Sequence, residues 1–206
     1  MNNSLQEYLN FANKLADVAG ITSMEYFRTS LSIDNKSDES PVTIADKNTE
    51  LKIRSLIENE YPDHGILGEE FDSVNPDAEF IWVIDPIDGT RSYIAGHKDF
   101  GNLISLTQNK KPIIGIINCP AHDERWVGAK SQRSTVNQQT VNTSNVTEIE
   151  DAYIFTSGLY FDEPHLRNAV DKIKNKVRYF RYGGDCYMYG MVASGLIDIV
   201  IEDTLK

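Results

Sequence analysis

Asp85 and Asp88 stand three positions apart at the end of an apolar run and are followed at once by a glycine and a hydroxyl, in the stretch Ile81-Trp82-Val83-Ile84-Asp85-Pro86-Ile87-Asp88-Gly89-Thr90. Two carboxylates aimed at one point repel each other unless a cation or a proton lies between them. Upstream, Glu69 and Glu70 follow a second, shorter apolar piece, Gly65-Ile66-Leu67-Gly68. Two adjacent strands ending at the same edge would bring Glu69, Asp85 and Asp88 together. Three carboxylates, a backbone carbonyl and water form a hard-oxygen set suited to Mg²⁺ or Mn²⁺ and not to zinc. The ligand of such a centre would be a phosphate. Gly89 lets the backbone turn or approach a ligand closely, and a helix beginning near Thr90 would aim its free N–H groups at the same anion. A metal on one side and a helix N-terminus on the other suit phosphoryl transfer, with water attacking and Thr90 and Asp46 as the natural pair to orient it. Each residue also has a plainer reading. Asp88-Gly89 could be an exposed turn, and Glu69-Glu70 a solvated face. Asp46 could be no more than an acid at a helix N-terminus, the reading that the residues alone favour.

These side chains need elements to hold them. Ser4-Leu5-Gln6-Glu7 matches a capping box, and the apolar spacing after it predicts an amphipathic helix to about Phe27. Residues 31–34 alternate as a strand, and 35–41 are a polar loop. Thr43-Ile44-Ala45-Asp46 opens a second helix with Ile53, Leu56 and Ile57 towards the core; Tyr61-Pro62-Asp63-His64-Gly65 ends it. Strands are expected over 80–84, 103–107, 113–117 and 125–129, with Asn109-Lys110-Lys111-Pro112 as a hairpin connection. Pro86, which lacks a backbone donor, is expected to take the chain out of the first of these strands into a shaped loop. Residues 131–149 read as loop with one short strand. Beyond them, strands over 152–156, 177–180 and 197–201 alternate with helices over 164–173 and 186–194, the last ended by Gly195. That alternation predicts an α/β second lobe.

The 206 residues allow one large domain or two small lobes sharing a core. We read one domain over 1–206, with an N-terminal lobe of about 1–140 and a C-terminal lobe of about 141–206. A formal net charge of −11 argues against nucleic acid or an anionic membrane surface as partner. It also means that an anionic substrate needs a bound cation or a local basic group. No apolar run is long enough to span a bilayer and the first residues lack a signal-peptide pattern, so a cytoplasmic location is expected. Cys119 and Cys186 stand far apart without a CxxC pattern and are expected as buried free thiols.

Gly68-Glu69-Glu70 followed by Trp82-Val83-Ile84-Asp85-Pro86-Ile87-Asp88-Gly89-Thr90, with Pro41-Val42-Thr43-Ile44-Ala45-Asp46 upstream, resembles the inositol monophosphatase-like superfamily of metal-dependent, usually Mg²⁺, phosphatases. The resemblance runs through nearly the whole chain. It implies a layered α/β/α/β/α sandwich and a homodimer. It also implies that Glu69, Asp85, Asp88 and the carbonyl of Ile87 bind metal, that Gly89 and Thr90 hold the phosphate beside Asp88, and that Thr90 with Asp46 activates water, Glu69 being counted with them in catalysis.

Two further stretches resemble the histidinol-phosphate phosphatase branch. One is Gly89-Thr90-Arg91-Ser92-Tyr93-Ile94-Ala95-Gly96, continuing to Phe100-Gly101-Asn102-Leu103-Ile104. The other is Arg181-Tyr182-Gly183-Gly184-Asp185-Cys186-Tyr187 with Ala193-Ser194-Gly195 and Glu202. L-Histidinol phosphate carries an ammonium and an imidazole, so Asp185 and Glu202 suit its cationic end. Asp185 reads equally as a helix N-cap, and Arg181 as either a surface strand residue or a ligand or interface group. The expected activity is hydrolysis of L-histidinol phosphate to L-histidinol, a late step of histidine biosynthesis. An inositol or other sugar phosphate is the alternative substrate. In one respect the sequence departs from the family pattern. A further metal-binding aspartate is expected shortly after the Glu202 region, and the sequence stops at Lys206, before it. Asp203 does not substitute for it. The expectation is therefore a truncated product or a protein that has lost full activity, the remnant of such an enzyme, with the second lobe incomplete and apolar surface on 197–201 left uncovered.

Overall fold

The computed structural model describes residues 4–30, 33–35, 41–158 and 163–203. Leu31 and Ser32, read above as part of a strand, and residues 36–40, read as polar loop, lie outside them. The chain divides into two compact units, Met1–Thr140 and Val141–Lys206.

The first unit opens with α1 (Leu5–Tyr26). The Glu7 side chain accepts from the Ser4 N–H at 2.7 Å and Ser4 Oγ accepts from the Glu7 N–H at 3.3 Å, so the expected capping box forms. β1 (Ile33–Asn35) and β2 (Pro41–Thr43) make an antiparallel ribbon, which places Pro41 in a strand and not in the loop predicted for it. α2 (Ile44–Glu60) follows, then β3 (Gly65–Gly68), β4 (Phe80–Asp88) and the short α3 (Thr90–Ile94). β5 (Gly101–Gln108), β6 (Lys111–Cys119), β7 (Glu124–Ala129), β8 (Thr135–Val136) and β9 (Gln139–Thr140) complete the unit. One sheet runs in the order β3-β4-β5-β6-β7-β8-β9. Only β3 and β4 pair in parallel, and every other neighbour is antiparallel. The β5–β6 hairpin turns through Asn109 and Lys110, both at positive φ, where the sequence placed it.

α1 lies against β5 and β6, and α2 against α1 and β4. Leu15, Ile53, Ile57, Trp82, Ile104 and Leu106 are fully enclosed there. Each such aliphatic side chain contributes about 2 kcal/mol by leaving water. A smaller cluster of Ala45, Ile87, Tyr93 and Phe100 seats the end of β4 against the starts of α2 and α3.

β4 departs from the sequence reading. It does not stop at Ile84 but pairs with β5 through Asp88, opposite Gly101. The register shifts between Asp85 (opposite Leu103) and Asp88, so Pro86 and Ile87 together face Asn102. A bulge of this kind accommodates a residue with no N–H and re-aims its neighbours. Asn102 Nδ2 completes it by donating to the Pro86 carbonyl at 2.7 Å.

In the second unit, β10 (Tyr153–Thr156), α4 (Pro164–Lys174), β11 (Tyr179–Tyr182), α5 (Asp185–Ala193) and β12 (Ile199–Val200) form a parallel sheet in the order β11-β10-β12 with its helices. This is the α/β alternation expected. β11 starts later than predicted because the N–H groups of Arg178 and Tyr179 both go to the carbonyl of Ala152. β12 is shorter than predicted. Of the stretch 197–201 expected to lie uncovered, Ile197 is buried against Phe155 and Met188, whereas Ile199, Val200 and Ile201 are only half-buried, and Leu196 before them is exposed. Cys119 and Cys186 are buried free thiols.

Candidate metal and phosphate site

The parallel pairing of β3 and β4 sets Gly68 beside Ile84. The next residues along these strands are therefore Glu69 and Asp85, at the same edge. Asp85 Oδ1 is enclosed by protein and has no hydrogen-bond partner, although the residue as a whole is only half-buried. Burial pushes the Asp85 carboxyl well above the usual range. Glu69 and Asp88 add repulsion in the same direction, as do a hydrogen bond with Glu69 and the charge of Asp46. The structure thus brings Glu69, Asp85, Asp88 and Asp46 into one electrostatic neighbourhood. Glu69 reaches it from an exposed position.

Gly89 sits at φ 79°, ψ 38°, a left-handed turn that a side chain would strain, and caps α3. Thr90 is thereby the first helical residue, as the sequence suggested. Its Oγ1 lies 3.1 Å from the carbonyl of Ile87 and 3.5 Å from Asp46 Oδ1. Asp46 is buried at the third position of α2. Its Oδ2 accepts from the Thr43 N–H at 2.8 Å and from Thr43 Oγ1 at 2.6 Å. It is therefore both the capping acid of the plain reading and a partner for Thr90. Burial raises the Asp46 pKa, the Thr43 hydrogen bonds oppose this, and Glu69 adds to it.

Two supports went unread in the sequence. Glu50 and Arg54, one turn apart on α2, are both buried and paired at 2.7 Å. Glu50 Oε2 accepts from the Glu70 N–H at 2.8 Å, and Arg54 Nη2 donates to the Phe71 carbonyl at 2.9 Å. A Cβ on Gly68 would come within 1.9 Å of Glu50 Oε1, so only glycine fits beside the carboxylate. The signal present in the sequence, an acid and a base four apart, is the same as that of a solvated surface pair. Asn102 is the other support. Besides the Pro86 carbonyl, it meets Asn118 Nδ2, which donates to Asn102 Oδ1 at 2.8 Å, and Asn118 Oδ1 in turn accepts from Arg125 Nε at 2.8 Å.

The second unit holds the remaining predicted residues. Arg181 is exposed on β11 with its guanidinium 5.6 Å from the Phe155 ring centre. Asp185 is the first residue of α5, and Gly184, not Asp185, is the N-cap, so the capping reading of Asp185 is corrected. Asp185 has φ 40° and follows Gly183 and Gly184, which are also at positive φ. Glu202 accepts from both the N–H and the hydroxyl of Ser157, tying the end of β10 to the segment after β12.

A hard divalent cation fits the first unit's acids. Asp85 Oδ1 is a buried acceptor with nothing to accept from, and the carboxylates around it raise its proton affinity in the absence of a positive charge. Among the described residues, no three His, Cys, Asp or Glu side chains are already disposed to hold an ion together. The fit therefore lies in the donor chemistry and in the shared strand edge of Glu69 and Asp85.

Residues 4–206 match the inositol monophosphatase family. The chain is 39% identical over 204 residues to the bifunctional phosphatase IMPL2 of Arabidopsis thaliana, covering 98% of this chain and 59% of that protein. It is 36% identical to the histidinol-phosphatase of Chlorobaculum parvum, covering 96% of this chain and 77% of the relative. Among solved structures, an inositol monophosphatase from Zymomonas mobilis superposes with a TM-score of 0.88 at 40% identity, covering 100% of this chain and 79% of that one. The fold is accordingly an α/β sandwich of inositol monophosphatase type, and the chain belongs to the inositol monophosphatase family.

Proposed function

We propose that the protein is a Mg²⁺-dependent phosphomonoesterase whose substrate is L-histidinol phosphate. The observation that carries the chemistry is the Asp85 carboxyl, with a buried oxygen that lacks a partner and the charges of Glu69, Asp88 and Asp46 acting on it, together with a Thr90 hydroxyl within reach of both Asp46 and the Ile87 carbonyl. Glu69, Asp85, Asp88 and the carbonyl of Ile87 would hold the metal, with Mn²⁺ as a substitute. When bound, such a cation neutralises phosphate oxygens and makes water a better nucleophile. The side chains do the rest. Thr90 donates its proton to Asp46, which leaves an oxygen lone pair to accept from the attacking water. Asp46, with its raised proton affinity, is the final acceptor. Gly89 and Thr90 present backbone to the phosphate, next to Asp88.

Chemistry and likeness to proteins named histidinol-phosphatase support this substrate. Asp185 and Glu202 carry acids that suit the ammonium and imidazole of histidinol phosphate, and Arg181 lies on β11, the strand before α5. An inositol phosphate is the second reading, favoured by likeness to the Zymomonas mobilis structure. Phosphate release from histidinol phosphate and from inositol 1-phosphate, each with and without Mg²⁺, decides between them. The expected result is Mg²⁺-dependent hydrolysis with histidinol phosphate clearly preferred, and equal or faster turnover of the inositol ester overturns the assignment. Asp185→Asn is expected to raise KM for histidinol phosphate while leaving that for inositol 1-phosphate unchanged. We place the protein in the cytoplasm as a homodimer acting in histidine biosynthesis; sedimentation of the purified protein tests the dimer.

A further inference from the structure

Glu50 has no exposure and Arg54 only 6%. A buried ion pair seldom stabilises a protein more than apolar residues of the same size would, because two charges must be taken out of water. Its worth lies elsewhere, in what the pair grips. Glu50 takes the N–H of Glu70 and Arg54 holds the carbonyl of Phe71, while the Arg54 guanidinium lies 5.8 Å from the Phe71 ring centre. On the near side, Gly68 packs against the Glu50 carboxylate so closely that no side chain fits. The backbone on both sides of Glu69 is therefore held by one helix. That helix also carries Asp46, one turn before Glu50, so α2 positions two of the acids in the site at once.

We propose that the Glu50–Arg54 pair is a positioning clamp for Glu69, setting how tightly the site binds its divalent cation. The inference rests on the metal-site reading above. The clamp fixes a carboxylate that would otherwise swing away from the repulsion of Asp85, and so lowers the cost of gathering the acids around a cation.

The test is Mg²⁺ binding by calorimetry on wild type, Glu50→Gln, Arg54→Lys and the double variant Glu50→Met/Arg54→Met, with thermal midpoints measured alongside. Loss of a group that orients a metal ligand typically weakens binding about tenfold or more. That loss is expected in Glu50→Gln and in the double variant, with a smaller one in Arg54→Lys, which keeps the charge but not the forked donor. Glu50→Gln is expected to lower the thermal midpoint, because Arg54 is left buried and unpaired, and the apolar double variant to regain it. A merely structural pair predicts the opposite split. If the double variant regains both stability and wild-type Mg²⁺ affinity, the clamp is overturned; if Glu50→Gln fails to fold, the other two variants decide. A wild type that binds Mg²⁺ but does not hydrolyse phosphomonoesters defeats the enzyme reading and leaves the clamp standing. A wild type that binds no Mg²⁺ overturns both.

Discussion

Thr90 has one proton and two acceptors within reach, the nearer Ile87 carbonyl and the more distant Asp46 carboxylate. Which one it uses decides whether its oxygen can take a proton from water, and the raised proton affinity of Asp46 suits a final acceptor. Thr90→Ala is expected to lower kcat by roughly 10²–10⁴-fold with KM little changed, the usual loss when a proton-transfer partner is removed. Thr90→Ser is expected to recover most of it, and steady-state kinetics on both variants checks this. Asp85→Asn keeps the shape but removes the charge at a buried oxygen without a partner. It is expected to abolish Mg²⁺ binding by calorimetry, whereas unchanged binding would remove Asp85 from the metal site. The sequence made these residues legible because their types and spacing are themselves the chemistry. It did not settle whether Asp46 caps a helix or faces Thr90, because both uses need the same acid at the same place. The two oxygens of its carboxylate serve one use each.

At the scale of elements, β4 continues past Pro86 for a physical reason. Pro86 lacks a ladder donor, and that alone predicts a break. The partner strand absorbs the defect as a bulge, and Asn102 supplies a side-chain donor to the Pro86 carbonyl. Asn102→Leu would leave that buried carbonyl without a partner. A loss of about 1–3 kcal/mol in unfolding free energy is expected, measurable by urea denaturation. α2 shows the same limit. Its apolar face was readable from Ile53, Leu56 and Ile57, but Glu50 and Arg54 look like solvent-exposed charges until the bend after β3 is folded over them.

Across the first unit, helices and sheet are joined by a ring cluster around His64. Its imidazole stacks on Tyr61 at 4.7 Å between ring centres and on Phe80 at 5.1 Å, and Trp82 Nε1 donates to its Nδ1 at 3.1 Å. That hydrogen bond requires a neutral ring, and burial holds the His64 pKa below its ordinary 6.5, against the opposing pull of Asp63 and Glu79. The unfolded chain therefore takes up this proton at a higher pH than the folded one. The contribution of His64 to stability is complete above about pH 6.5 and falls as the pH drops towards the folded-state pKa. Thermal midpoints between pH 7.5 and 5.5 are expected to decline in wild type, and more shallowly in His64→Gln.

The order and type of most elements and both buried cysteines follow from the sequence by itself, which also supplies the acids of the candidate site. Periodicity, caps and turn residues act over a few positions, and the chemistry of a carboxylate does not depend on where it lies. Tertiary structure alone decided that Glu69 and Asp85 leave paired parallel strands side by side, that Pro86 sits in a bulge, and that an ordinary-looking Glu-Arg pair is buried beneath Glu69. Each of these depends on what packs across from a residue, and spacing along one chain does not encode that partner.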